Sequence, residues 1–266
     1  MKVGVLFICT GNLYWPFAQE AVRGAKQFLL PNHEKDFFIW SDMPKEIDLG
    51  MTVFETEHTH WPFPTLMRYH IFLQQEEILK GYDYLFYSDI DMRYVDTVGE
   101  EILGEGLTAA QHPMYALDKH LWPPYEPNPN SAAYIPRPGR VIVEPDGRSR
   151  FQPLYFAGGF QGGRTKDYLE AMRAMKRMID HDFLMNYIPI WNDESIWNRY
   201  LFDYPPAVVL NPSYVCPDSL IKEYYEPIWG CSYQPKIITL TKKFTTSSEG
   251  AAEIRKQLEQ FKPLQK

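Results

Sequence analysis

The 266-residue sequence has little cysteine: Cys9, Cys216 and Cys231 only. An odd count without framework spacing excludes a disulfide scaffold and points to free thiols in a reducing, cytoplasmic setting. No apolar run approaches the roughly 18 residues that a membrane-crossing helix needs. There is no basic excess either. Lys+Arg 27 against Asp+Glu 34 leaves a formal charge of −7, a poor match for a phosphate backbone, so nucleic acid is not an expected partner. Internal repeats are absent. The chain also lacks the G-K-[ST] ending of a phosphate loop, the G-x-G-x-x-G dinucleotide fingerprint and the G-x-S-x-G nucleophile elbow.

What remains is an ordinary globular composition, 45% hydrophobic and 23% charged. Aromatics reach 15%, with 18 tyrosines. That suits stacking on a sugar or nucleobase, and a Tyr-rich core accounts for it equally well. Lys2–Cys9 (KVGVLFIC) is too short for a signal peptide and lacks a small-residue cleavage site. It reads as a strand buried on both faces. A helix is expected from Phe17 to Leu30 and a strand over Asp36–Ser41. Thr65 reads as the cap of a helix running to about Lys80, with Gly81 as its stop. Tyr84–Ser88 (YLFYS) is a third buried strand. Strand and helix in alternation predict an α/β fold with a parallel sheet and helices on both faces.

The second half changes character. Pro113–Pro153 is loop-rich and crowded with proline, the kind of long connection that usually serves function. Thr165–Asp180 carries Tyr168, Met172, Met175 and Ile179 on one helical stripe. Asp193 reads as the cap of a helix through Leu201, and Ala207–Leu210 and Lys236–Leu240 read as strands. A last helix places Ala251, Ile254, Leu258 and Phe261 on one face. No linker divides the chain, so one domain is expected. Its two halves are about 1–110 and 111–245, followed by a tail helix over 246–266.

Three constellations can carry chemistry. Asp89-Ile90-Asp91 directly follows YLFYS. Paired acids at the carboxyl end of a buried parallel strand sit where open α/β sheets bind ligands. They are hard ligands for Mg²⁺ or Mn²⁺, ions that share their shell with substrate phosphates. The plain alternative is a capped turn. Glu194 lies in W-N-D-E-S, as a catalytic carboxylate or as a first-turn acid favoured by the helix dipole. Ala157-Gly158-Gly159-Phe160-Gln161-Gly162-Gly163 is either a bulged strand or the floor of a ligand site. Weaker signals are Glu55, Glu57, His58 and His60, read as a solvated loop, a lone His112, and Arg68, which faces either phosphate or solvent.

Y-L-F-Y-S-D-I-D-M, H-P-M-Y, S-A-A-Y-I-P, Y-F-A-G-G-F-Q-G-G and P-I-W-N-D-E-S run in that order along the chain. Together they resemble glycosyltransferase family 6, the retaining α-1,3-transferases, over roughly Lys2 to Phe244. The resemblance implies a GT-A fold with a mixed, mostly parallel sheet, a UDP-sugar donor and a galactose-terminated acceptor. It implies that Asp89 and Asp91 hold Mn²⁺ or Mg²⁺ and that Glu194 is the essential carboxylate, which also contacts the acceptor. Asp193 and Arg68 then contact donor sugar and diphosphate, with Ile8, Thr10 and Tyr14 at the nucleoside, Ile90 among the donor-binding residues and Lys242 at the diphosphate. Ala157, Gly158 and Gly159 sort donors, and His112 and Trp191 contact acceptor.

Two departures stand out. Asn192 occupies the position where the family usually has histidine. The stretch between Ile135-Pro136 and Ala157 is longer than usual, which predicts an extra hairpin beside the acceptor site. The stem and anchor of the animal members have no counterpart in this sequence, so a soluble bacterial or phage-type member is expected. Gly159 has no Cβ, which favours a 2-acetamido group: UDP-GalNAc over UDP-Gal. A 2′-fucosylated acceptor follows family precedent. A metal-dependent UDP-sugar phosphohydrolase and a non-catalytic carbohydrate-binding protein are the competing readings.

Overall fold

A computed structural model describes residues 1–11, 14–43, 50–117, 121–136, 140–143, 149–152, 154–220 and 233–240. β1 (Lys2–Cys9) pairs in parallel with β2 (Glu34–Ser41) on one side and with β4 (Tyr84–Ser88) on the other. A short strand missed in the sequence, β3 (Thr52–Glu55), extends β2 in parallel and forms the sheet edge. On the far side stand β9 (Phe156–Arg164), β6 (Leu107–Gln111) and β10 (Val208–Leu210). The seven-stranded order is β10-β6-β9-β4-β1-β2-β3, and β9 runs against both its neighbours. This main sheet is mixed and mostly parallel, as expected for an α/β, GT-A-like fold.

Apolar surface fills both faces. On one, α1 (Trp15–Phe28) turns Ala18, Ala21, Val22 and Ala25 inward. These small residues let the helix lie close to the strands. On the other face, α6 (Thr165–Leu184) buries the expected stripe of Tyr168, Met172, Met175 and Ile179. It continues past Asp180 because Asp182, fully buried, accepts from Ser131 Oγ (2.6 Å) and Ala132 N (2.7 Å). α7 (Asn192–Asp203) packs beside it, with Ile196, Trp197 and Leu201 buried.

The helix expected from Thr65 to Lys80 is instead three short ones, α2 (Phe63–Leu66), α3 (Arg68–Leu73) and α4 (Glu76–Leu79). Thr65 is no cap: its hydroxyl donates to Pro62 O at 2.8 Å. The breaks let Leu66, Arg68, Tyr69, Phe72 and Leu79 all turn inward, a wider arc than one straight helix presents.

The proline-rich stretch contains α5 (Pro113–Leu117) and the expected hairpin, β7 (Arg140–Val143) antiparallel to β8 (Ser149–Gln152). β5 (Met92–Tyr94), β11 (Cys216–Pro217) and β12 (Ile237–Thr239) make a small second sheet. No helix among the described residues is long and apolar enough to cross a membrane. Cys9 is a buried free thiol, and Cys216 is buried as well. Lys242, Cys231 and the tail helix over 246–266 lie outside the described residues.

Candidate active site

The sheet topology explains why distant motifs meet. β1 and β4 are parallel, so Ile8–Thr10 and Asp89–Asp91 leave the sheet at the same edge. β9 is antiparallel to β4, so its beginning, Phe156–Gly159, lies at that edge too. The Asp89 N–H donates to Gly159 O at 2.8 Å, which joins the acid pair to the glycine strand.

One part of the cleft is lined by Ile8, Thr10, Tyr14, Trp61, Pro64, Thr65, Tyr87, Asp89, Ile90 and Asp91. Every residue expected at the nucleoside is therefore in one place. The adjoining part is lined by Trp61, Thr65, Arg68, Asp89, Gly158, Gly159, Trp191, Asn192, Asp193 and Glu194. Trp61, Thr65 and Asp89 belong to both. Ala157 lies in the buried apolar cluster that includes Ile90 and Met92 and lines neither part.

Arg68 does not face bulk solvent; it forms part of the wall of this second part of the cleft. It is 1% exposed. Nε donates to Thr65 O (3.0 Å) and Nη1 to Gly158 O (2.8 Å), and Nη2 lies 2.9 Å from Asp193 Oδ2 and 3.6 Å from Asp89 Oδ1. Its guanidinium stacks 4.1 Å above the Tyr87 ring. Burial works against its charge, but Asp193, Tyr87 and Asp89 outweigh it and hold the guanidinium's pKa above its ordinary value. One buried cation thus ties together the first turn of α7, the end of β4 and the glycine strand. Tyr87 contributes a second tie by donating to Asp89 Oδ1. Burial holds the phenol well above its ordinary pKa, so it remains a donor.

Asp193 is in the first turn of α7, not at its cap; Trp191 holds the cap position. Trp191 N donates to Ser195 Oγ (3.1 Å), and Glu194 N to Trp191 O (3.0 Å). Asn192 has φ 51°, a left-handed backbone that asparagine tolerates better than most residues. Burial pushes the Asp193 carboxyl up to about 6, with Arg68 opposing. Burial raises Glu194 further, to about 7, against the Gly158 N–H that donates to its Oε2 at 2.8 Å. A carboxylate titrating near neutrality in a cleft is what acid–base or nucleophilic work requires.

The glycine motif divides in two. A Cβ on Gly162 would lie 2.2 Å from Leu85 O, and one on Gly163 (φ +138°) 2.3 Å from Gly106 O. These two serve close strand packing. Gly158 and Gly159 face the acids: a Cβ there would lie 3.0 Å from Asp193 Oδ2 or 2.8 Å from Asp89 Oδ2. The room above Gly159 is not empty, because the Met92 terminal methyl also occupies it, 2.4 Å from that Cβ position.

Trp191 is 49% exposed at the rim, available as a sugar platform. His112 sits behind Tyr155, its ring 5.8 Å from the tyrosine's and 4.9 Å from Tyr115. Burial pushes its pKa down to about 4, so it is a neutral imidazole. The Tyr155 hydroxyl approaches Glu194 without reaching full hydrogen-bond geometry. Tyr87, Tyr155, Met92 and Trp61 were not flagged in the sequence. Each reads there as core or loop, and only the neighbouring strand shows what it faces. Among the described residues, the segment carrying Glu55, Glu57, His58 and His60 contributes to no cluster of three or more metal-ligand residues.

Asp89 and Asp91 line the same wall of the cleft. Among the described residues no third His, Cys, Asp or Glu joins them, and a two-carboxylate set suits an ion that completes its shell with substrate phosphate and water, as Mg²⁺ and Mn²⁺ do. The donor set therefore fits the expected metal.

An α/β sheet with acids from the end of β4 and the start of α7 converging on one cleft is a GT-A-like arrangement. The family model for glycosyltransferase family 6 matches residues 1–225, and the chain belongs to that family. It is 28% identical to rat histo-blood group ABO system transferase 1 over 78% of this chain and 59% of the relative. It is 28% identical to chicken globoside alpha-1,3-N-acetylgalactosaminyltransferase 1 over 82% of this chain and 62% of that protein. The Escherichia coli O-antigen biosynthesis glycosyltransferase WbnI is 24% identical over 82% of this chain and 89% of its own length. The chain thus spans about six-tenths of the length of the animal relatives it matches.

Proposed function

We propose that this chain is a retaining α-1,3-glycosyltransferase that moves N-acetylgalactosamine from UDP to the 3-hydroxyl of a galactose-terminated, 2′-fucosylated acceptor. The observation that carries the reading is the convergence of Asp89, Asp193 and Glu194 around buried Arg68, beneath the strand that bears Gly158 and Gly159. The relatives named as N-acetylgalactosaminyltransferases support the choice of sugar.

In this reading Ile8, Thr10 and Tyr14 receive the nucleoside, and Asp89 and Asp91 hold Mn²⁺ or Mg²⁺. When bound, such an ion offsets charge on the leaving diphosphate. Asp193, pinned by Arg68, orients the sugar hydroxyls. The bond between the anomeric carbon and the diphosphate oxygen breaks, and positive charge grows on the sugar. Glu194, ionised above neutral pH and aimed by the Gly158 N–H, stabilises that charge. The acceptor, laid on Trp191, adds its 3-hydroxyl oxygen from the face that the diphosphate leaves, so configuration is retained. Its proton departs with the leaving phosphate.

The test is UDP release from UDP-GalNAc and from UDP-Gal, with Mn²⁺ or chelator, with and without 2′-fucosyllactose. Release that is faster from UDP-GalNAc, stimulated by acceptor and lost with chelator is the expected result. Turnover that no acceptor stimulates would instead mark a phosphohydrolase, and binding without turnover a carbohydrate-binding protein.

A further inference from the structure

We propose that Asn198 is a positioning residue for the reaction, the clasp that sets the distance between the glycine strand and the catalytic carboxylate. The inference rests on the functional reading above.

Asn198 lies four residues beyond Glu194 on α7 and is 4% exposed. An asparagine inside a helix is unfavourable unless its amide has a task, because it competes with the backbone. Here every polar atom is used. Nδ2 donates to Phe156 O at 2.8 Å and to Glu194 O at 2.8 Å, and Oδ1 accepts from Phe156 N at 2.8 Å. The side chain therefore pairs with the Phe156 peptide in both directions, as a neighbouring strand would.

The place matters. The ladder between β6 and β9 shifts register between Ala109 and Gln111, which faces Phe156. The ladder from β4 reaches β9 only as far as Phe160, so at the mouth of β9 the Asn198 amide supplies the hydrogen bonds to Phe156 that no strand on that side provides. Two residues on, the Gly158 N–H donates to Glu194 Oε2 while its carbonyl accepts from Arg68 Nη1 and Gln161 Nε2. One amide thus holds both ends of the Gly158–Glu194 contact: the strand at Phe156 and the helix turn at the Glu194 carbonyl. The nucleoside part of the cleft, at Ile8, Thr10 and Tyr14, touches none of these bonds.

Asn198→Asp tests this. It keeps the size and the acceptor but removes the donor and sets a carboxylate against two carbonyls. With wild type measured alongside, UDP affinity should stay within threefold while kcat for UDP release falls tenfold or more. The acid limb of kcat should move to higher pH as Glu194 loses its aimed N–H. Thermal melting reports whether the variant is folded; if it is not, Asn198→Ser, with one hydroxyl donor, is read in the same way. A folded variant with kcat within twofold of wild type would overturn the proposal, and so would UDP affinity and kcat falling in step. If wild type itself releases no UDP from a UDP-sugar, the functional reading fails and takes this proposal with it.

Discussion

Glu194 carries its charge at a cost to the fold. Its carboxyl, raised by burial from 4.5 to about 7, loses its proton later in the folded chain than in the unfolded one. Stability attributable to this group is fully present below pH 4.5 and is lost as pH rises through 7. Glu194→Gln should therefore raise the melting point at pH 8, by the equivalent of about 1–3 kcal/mol, and leave it unchanged at pH 4. Equal melting points at pH 8 would refute the shift. The same substitution should lower kcat by on the order of 10²–10⁴. In wild type, kcat/KM should fall on the acid side of about pH 7; a flat profile down to pH 5 would contradict the assignment. Gly159 is the second residue of consequence. Gly159→Ala must push the Met92 methyl aside and press on Asp89. The expected outcome is a shift of the donor ratio toward galactose together with a lower overall rate. An unchanged ratio of UDP-GalNAc to UDP-Gal turnover would reject Gly159 as the selector.

At the scale of elements, the site is held by bridges between segments that are remote in sequence. Arg68 on α3 joins the end of β4, the mouth of β9 and the start of α7. Arg68→Ala leaves Asp193 buried beside Asp89 with no cation. Breaking a buried pair in this way costs about 3–5 kcal/mol, and chemical denaturation should show a loss of that order. The proline-rich stretch has its own bridge. Glu126, 2% exposed, accepts from Tyr187 Oη (2.6 Å), Asn128 N (2.8 Å) and Ile190 N (2.7 Å). It staples residues 121–136 to the turn that leads into Trp191. Glu126→Ala should raise the acceptor KM several-fold with little change in donor KM; equal effects on both would assign Glu126 to general stability alone.

At the scale of the whole molecule, the two expected halves are not separable. β9, from the later half, lies between β4 and β6 of the earlier one. A fragment of residues 1–110 leaves two strands without their shared neighbour, with backbone groups unpaired. It should show no cooperative thermal transition by circular dichroism. A cooperative melt would show that this half folds alone.

The division between what was legible in the chain and what was not follows from the range of the forces. Lys2–Cys9 and Tyr84–Ser88 were readable as buried strands because a strand covered on both faces is apolar at every position. The stripe of α6 was readable because burial repeats every turn. Asp89 and Asp91 stood out because paired acids at the end of a buried strand differ sharply from their neighbours, whereas Glu194, an ordinary first-turn acid by its local residues, was singled out only by the family resemblance. The sequence by itself determined the sheet's parallel core, the helix that covers one face and the set of acids. Only the tertiary structure decided that β9 runs antiparallel, which brings Gly158 and Gly159 to the acids. It also decided that Arg68 turns inward, that Met92 fills the space above Gly159, and that Asn198 clasps a strand. Those choices depend on atoms more than forty residues apart in sequence coming into contact, as Asn198 meets Phe156 and Arg68 Nη1 meets Gly158 O at 2.8 Å. No local periodicity records such a meeting, because its free energy exists only once the sheet has closed.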